Sequence, residues 1–246
     1  MNPCLLIPIY DHKDQIRAVL DSLAGFGLRC IVVDDGSGIE TRMVLDAAEK
    51  DYSWLEVYHR DINGGRGAAL VSGYRLAAKR GFSHAIQLDA DGQHDARDVP
   101  RFVEAIDANP DALVLGTPIF DESVPKSRLY GRQLSRFMVW LTTLSLDVSD
   151  PLCGFRGIPL APALGLLERV EMGSHMEFDP QLVIQLCWAG APVVNLPTRV
   201  VYAAEGLSHF DLVRDNLRLI GVYIRAVGGM LLRSPRLLAR RASSTA

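Results

Sequence analysis

The chain has 246 residues, 48% hydrophobic and 22% charged, a globular composition with enough apolar material for one sizeable core. A formal net charge of −3 gives no reason to expect a nucleic-acid partner, and four cysteines without a C-x-x-C pair argue against a zinc motif or a disulfide framework at this length. The opening MNPCLLIPIYDHKD lacks the basic start of a secretory signal and reaches Asp11 too early for one, so reduced, cytosolic thiols are expected.

In chain order, CLLIPI (4–9) is a short apolar run, expected as a buried strand. HKDQIRAVLDSLAGFG (12–27) places Ile16, Val19, Leu20 and Leu23 at helical spacing before a glycine stop. RCIVVD (29–34) predicts a second strand, GIETRMVLDAAEKD (38–51) a helix and WLEVYHR (54–60) a third strand. GAALVSGYRLAAKRG (67–81) reads as a helix and SHAIQLD (83–89) as a fourth strand. DVPRFVEAIDANP (98–110) is expected as a helix with Pro100 near its first turn, and DALVLGT (111–117) as a fifth strand. Strands alternating with helices imply right-handed crossovers and a mostly parallel sheet. The second half is less regular. SRLYGRQLSRFMVWLTTLSLDV (127–148) predicts a helix with a basic front and an apolar rear. DPLCGFRGIP (150–159) predicts a turn-rich, strand-like piece, MEFDPQLVIQLCWAG (176–190) a helix, and PVVNLPTRVVY (192–202) an extended segment.

In such sheets ligands bind beyond the carboxyl ends of the strands. The first, second and fourth predicted strands run there into Tyr10-Asp11, DDGS and DADGQH, so three carboxylate-bearing loops should gather on one edge. VVDDGS (32–37) reads either as an acidic helix cap or as a rigid acceptor for a base or ribose. INGGRGAAL (62–70) enters a helix, where backbone N–H groups favour anions and Arg66 adds a full charge; its alternative is a flexible turn before a close-packed helix. Asp89, Asp91 and Gln93 alternate along an expected extended segment. Two like charges at a strand mouth resist desolvation, and a divalent cation would relieve them. Hard oxygen ligands suit Mg²⁺ or Mn²⁺, and His94 offers a nitrogen beside them.

IPIYDH, VVDDGS, NGGRGAAL and LDADGQH, in this order, resemble glycosyltransferase family 2, and SDPLCGFRG (149–157) resembles its dolichol-phosphate-mannose-synthase-like branch. The resemblance covers roughly residues 4–205. It implies an α/β fold of the GT-A (Rossmann-like) kind, a mostly parallel sheet flanked by helices. It also implies transfer, with inversion, of a sugar from a UDP- or GDP-sugar to an acceptor. By resemblance, Pro8, Tyr10, Asp35 and Arg66 contact the nucleotide, and Asp89 and Asp91 hold Mg²⁺ or Mn²⁺ and the diphosphate, with Gln93 as a further ligand. Asp91 is thereby a catalytic candidate. Glu177 and Asp179 stand where relatives carry a catalytic base, but Phe178 interrupts the usual Glu-Asp pair. A lipid-phosphate acceptor would need no base, since it is already an anionic nucleophile. Arg128, Arg132 and Ser135 share one helical face and are candidates to bind it, the alternative being a solvated helix surface. Ser208, with His209 beside it, stands where relatives carry a G-x-S motif near the donor phosphates; a helix cap is its alternative. A nucleotidyltransferase on a similar core is a competing reading, weakened by the missing glycine-rich loop after the first strand. A non-catalytic binding module is another, weakened by the intact Asp35, Asp89 and Asp91.

The division expected is a catalytic domain over 1–210 and a C-terminal basic amphipathic helix over 211–246. Residues 216–246 carry six arginines and no acid. Val213, Leu217, Ile220, Ile224, Val227 and Leu231 form one helical stripe with Arg214, Arg218 and Arg225 beside it. This fits an anionic membrane surface, with packing on the enzyme core or on a second subunit of a homo-oligomer as the alternative. The apolar run FMVWLTTLSL is too short to span a bilayer and LIGVYIRAVGGMLL is interrupted by Arg225. The location expected is cytoplasmic, peripheral at the inner face of the membrane.

Overall fold

Every side chain of the first strand, β1 (Pro3–Ile9), is buried, as the unbroken apolar run requires of a strand covered on both faces. Alternation divides it between two cores: Cys4 and Leu6 join one cluster, Leu5, Ile7 and Ile9 the other. The computed structural model describes residues 1–120, 126–200, 211 and 213–244, with side chains at these positions except 126–128 and 242–244. The remaining strands are β2 (Cys30–Asp34), β3 (Leu55–His59), β4 (His84–Gln87), β5 (Leu113–Ile119), β6 (Arg156–Pro159) and β7 (Val193–Arg199). The helices are α1 (Lys13–Leu23), α2 (Ile39–Asp51), α3 (Arg66–Lys79), α4 (Val99–Ala108), α5 (Lys126–Thr143), α6 (Leu160–Leu167), α7 (Phe178–Ala189) and α8 (Arg214–Ser244).

The strands form one seven-stranded sheet in the order β3-β2-β1-β4-β6-β5-β7. All pairs are parallel except those of β6, which runs antiparallel between β4 and β5. The α/β architecture with a mostly parallel sheet is as the sequence predicts. Helices α1, α2 and α4 cover one face; α3, α5, α6, α7 and α8 cover the other. The chain leaves β1 toward β2 and β3, then returns to β4 on the opposite side. This reversal opens a crevice at the carboxyl ends of β1 and β4, the place where open α/β sheets bind ligands. The antiparallel β6 sets Arg156 opposite Gln87, so the turn preceding it meets the end of β4.

Three local expectations change. Strand β4 stops at Gln87, and Asp89–Gln93 is a turn rather than an extended segment. Gly92 takes a left-handed φ of 72°, and the Asp91 carboxylate accepts a bond from the Gln93 N–H at 3.0 Å, a local closure typical of Asp before glycine. Helix α6 is additional; its Pro162 and Gly165 give a weak helical signal. Finally, the stripe chosen on α8 is its outer one. Val213, Leu217, Ile220, Ile224 and Leu231 are exposed, whereas Leu219, Val222, Tyr223, Ala226, Met230 and Leu237 are buried, most of them in the cluster shared with α3 and α7. Helix α8 is thus apolar on two sides, one packed on the core and one open.

Candidate active site

Asp34 ends β2 and Asp35 follows it, with opposite orientations. Asp34 is fully buried and faces α2: its Oδ1 accepts from the Ser37 N–H at 2.9 Å, and its Oδ2 lies 2.7 Å from His59 Nδ1 and 3.4 Å from Arg42 Nε. Asp35 faces the glycine loop. Its carboxylate accepts from the Gly64 and Gly65 N–H groups at 3.1 and 2.7 Å and from the Arg60 guanidinium. Burial raises its pKa despite these partners. The amides expected to cradle an external anion therefore hold the chain's own carboxylate. At the start of α3 the Ala68 N–H donates to the Ser174 carbonyl at 3.1 Å. Gly65, at φ 92°, leaves room for that segment; a Cβ there would lie 2.6 Å from the Ser174 carbonyl oxygen.

Asp11, just past β1, ties this edge together. It adopts a left-handed φ of 53°. Its N–H donates to Ser37 Oγ at 3.0 Å, and its Oδ1 accepts from the Gly38 N–H at 2.8 Å. Pro8 is buried within β1 and Tyr10 is half-buried directly after it. Pro8 near the end of β1, Tyr10 just past it and Asp35 just past β2 thus lie at one end of the sheet, on neighbouring segments.

Asp89 follows β4 on the other side of the crevice. Its Oδ1 lies 2.6 Å from Arg66 Nη2, and its Oδ2 lies 3.3 Å from His94 Nε2. Burial pushes the Asp89 pKa upward, but Arg66 and His94 overcome this and hold it well below the usual carboxylate range. For Asp91, burial and the neighbouring Asp89 raise the pKa, outweighing the Gln93 N–H bond and the nearby histidines His94 and His12. Gln93 contributes its N–H to Asp91. The backbone before β6 passes so close to Asp89 that a Cβ on Gly154 would lie 2.6 Å from the Asp89 carboxyl carbon. Asp89 and Asp91 are adjacent hard oxygen donors of the kind a divalent cation takes when water and donor phosphates complete its shell; among the described residues no group of three or more His, Cys, Asp or Glu side chains is arranged to hold an ion by itself.

Arg66 extends the site into the second half of the chain. Its Nε donates to Asp179 Oδ2 at 2.9 Å. Asp179, in the first turn of α7, also lies 3.3 Å from Arg156 Nη1 through its other oxygen. Arg156 is fully buried and donates to the carbonyls of Cys153, Pro151 and Asp179 at 2.5, 2.7 and 3.1 Å. A chain of alternating charge therefore runs from Asp89 through Arg66 and Asp179 to Arg156. Such a buried network holds only when each member is paired. Glu177 precedes α7 and is buried; its Oε1 accepts from the His175 N–H at 3.3 Å and its Oε2 has no hydrogen-bond partner.

Arg132 on α5 lies 2.7 Å from Asp150 Oδ2, with its guanidinium 5.3 Å from the Phe120 ring centre. Ser135 is buried rather than open to a ligand. Arg128 lies on α5 but its side chain is outside the described residues, as are Ser208 and His209 altogether. Sequence reasoning did not single out Arg60 and Arg156. A cation directly after β3, facing the DDGS loop, was a usable signal for Arg60; the arginine of GFRG gave only its proximity to the D-P-x-x-G-F segment.

Comparison with known proteins follows the same pattern. The family model for glycosyl transferase family 2 matches residues 4–156. A polyprenol monophosphomannose synthase of Mycolicibacterium smegmatis is 26% identical over 219 residues, covering 83% of this chain and 79% of the relative. An undecaprenyl-phosphate mannosyltransferase of Micrococcus luteus is 28% identical, covering 85% of this chain and 87% of the relative. Among solved structures, glucosyl-3-phosphoglycerate synthase from Mycobacterium tuberculosis superposes with a TM-score of 0.65 at 20% identity, covering 92% of this chain and 80% of that one. A mannosyltransferase from Pyrobaculum calidifontis in complex with GDP-Man and Mn²⁺ gives 0.60 at 15% identity, covering 99% and 79%. At these identities the structural likeness establishes the fold.

Proposed function

The chain belongs to glycosyl transferase family 2, and on that premise we propose that it moves a sugar from a nucleoside-diphosphate donor to a polyprenol-phosphate acceptor at a membrane surface. The nucleoside lies over Pro8, Tyr10 and Asp35, where Asp35 accepts hydrogen bonds from the base or ribose in a geometry set by Gly64, Gly65 and Arg60. Asp89 and Asp91 hold Mg²⁺ or Mn²⁺, with Gln93 fixing Asp91 through its backbone. When bound, the ion neutralises charge on the departing diphosphate. Arg66, anchored on Asp179, adds a cation on the same side.

The observation that carries the acceptor assignment is the double pairing of Asp179. Its two oxygens lie on Arg66 and Arg156, so it is an anion that positions Arg66, not a base open to a hydroxyl. Glu177 is buried against its own loop. A lipid phosphate needs neither, because its oxygen is already ionised and attacks the anomeric carbon opposite the departing diphosphate, giving inversion. The names of the two mannosyl-transferring relatives, both of polyprenol type, support the same acceptor class. Arg132, displaced from Asp150, is the described side chain that would receive the phosphate; Arg128 and Ser208, the other candidates, lie outside the described side chains.

No described helix is long and apolar enough to cross a membrane. The open apolar side of α8 and its arginines support peripheral attachment to anionic lipid, at the membrane face exposed to nucleotide sugars. Titrating UDP and GDP with and without Mn²⁺ tests the donor site. Metal-dependent binding of at least one, lost in Asp91→Asn, is expected; metal-independent binding that survives Asp91→Asn contradicts the assignment.

A further inference from the structure

Asp89 already has a cation before any donor is bound. We propose that Arg66 is a built-in counter-ion that occupies Asp89 until donor and divalent ion arrive, and then yields Asp89 while remaining on Asp179. This deepens the donor-site reading above and rests on it.

Three features carry the proposal. First, the guanidinium divides its contacts: Nη2 is on Asp89 and Nε on Asp179, so one can be released without the other. Second, the two carboxylates differ in surroundings. The Asp179 side chain is 9% exposed and is also held by Arg156, whereas the Asp89 side chain is 25% exposed at the crevice. Asp89 is the end an incoming ion can reach, and therefore the end that yields.

Third, removing Arg66 leaves uncompensated negative charge. Asp89 and Asp179 share its guanidinium, with Arg156 against the other oxygen of Asp179 and His94 against the other oxygen of Asp89. A divalent ion entering alone would meet the Arg66 guanidinium across Asp89, and like charges at such range repel. A diphosphate arriving with the ion offsets that repulsion. Arg66 thus acts as a positioning residue that makes metal binding depend on the donor, while keeping the donor-free site folded without metal.

The test measures metal affinity rather than turnover. Free Mn²⁺ is followed by electron paramagnetic resonance during titration of the full chain, with and without UDP or GDP. The wild-type protein should bind Mn²⁺ alone weakly and at least tenfold more tightly with the nucleotide. Arg66→Met should bind Mn²⁺ alone at least tenfold more tightly than wild type, with the nucleotide effect reduced. Arg66→Lys, which keeps the charge, should stay close to wild type. A purely structural role would not separate the Met and Lys variants in this way. If Arg66→Met is unfolded, Arg66→Met/Asp179→Asn removes the stranded carboxylate and carries the same expectation. A folded Met variant, single or double, that binds Mn²⁺ no more tightly than wild type overturns the counter-ion assignment while leaving the donor site standing. A wild-type chain that binds neither nucleotide nor Mn²⁺ in any combination overturns both.

Discussion

The outer side of α8 offers a prediction whose size follows from the structure. Ile220 and Ile224 are 53% and 67% exposed, so neither contributes much to folding, and both can be removed from the surface without opening a cavity. Burying a whole isoleucine is worth about 1.5–3 kcal/mol. Scaled by exposure, the pair offers about 2–4 kcal/mol to a membrane interface. Allowing for partial insertion, Ile220→Ser/Ile224→Ser should weaken partitioning onto anionic vesicles by at least about tenfold, with each 1.4 kcal/mol giving one decade. Co-sedimentation with phosphatidylglycerol-containing and purely zwitterionic vesicles measures this. Wild-type binding should fall with added salt, because the arginine contribution is screened. Stability should shift by less than about 0.5 kcal/mol, as expected of surface positions. Unchanged partitioning would refute the docking role. So would a large fall in melting temperature, because the two side chains would then be part of the core. Deleting the end of α8 is a poorer test: Leu237 is buried, and the Arg240 guanidinium donates to the Trp188 carbonyl at 2.9 Å.

Asp35→Asn should weaken free UDP or GDP and the matching sugar donor alike, by about 1.5–3 kcal/mol for a charged hydrogen-bonding group, read by calorimetry; a loss confined to the sugar-bearing donor would move Asp35 away from the nucleoside. Gly154→Ala should push Asp89 out of place, lower stability by about 1–3 kcal/mol through overpacking, and abolish the effect of Mn²⁺ on nucleotide binding in the same titration. For Asp91, burial and Asp89 raise the folded pKa, so its ionisation opposes folding when no metal is bound. Metal-free stability should fall as pH rises from the ordinary carboxylate value through the raised one, because the folded state there binds more protons. Asp91→Asn should remove this loss, giving a gain above that window and none below it; urea melts in chelator that show a gain independent of pH contradict the cause.

β1 and β2 were legible because both are buried along their whole length and therefore unbroken in apolarity; β3, with Glu56 and His59 on a half-open edge strand, was legible from its place between two helices. Asp35 and Asp89 were legible as candidates because they stand just past such runs, and Asp91 because it lies two residues beyond Asp89. Two features were hidden for different reasons. Helix α8 carries two neighbouring apolar stripes, and the more regular one, through Ile220 and Ile224, is mostly open, only Val227 leaning on the core; Leu219, Tyr223 and Met230 on the inner side are spaced as well but include a polar-tipped tyrosine. The partners of the glycine loop and of Asp179 are remote in sequence: Gly65 meets Asp35 across 30 residues, and Arg66 meets Asp179 across 113. No local spacing encodes such pairings. They depend on the tertiary arrangement: β3 beside β2 brings the glycine loop to Asp35, and α7 beside α3 brings Asp179 to Arg66.

The central claim, sugar transfer to a lipid phosphate, is tested most directly by product formation in vesicles. Purified protein is supplied with radiolabelled GDP- and UDP-sugars, Mn²⁺ and polyprenol phosphate in anionic vesicles, and the lipid phase is extracted and counted. The account predicts a sugar-phosphate-linked lipid from at least one donor, dependent on the phosphate and lost in Asp91→Asn. Labelled lipid formed equally well from the unphosphorylated polyprenol, or no labelled lipid from any donor that the protein demonstrably binds, would contradict it.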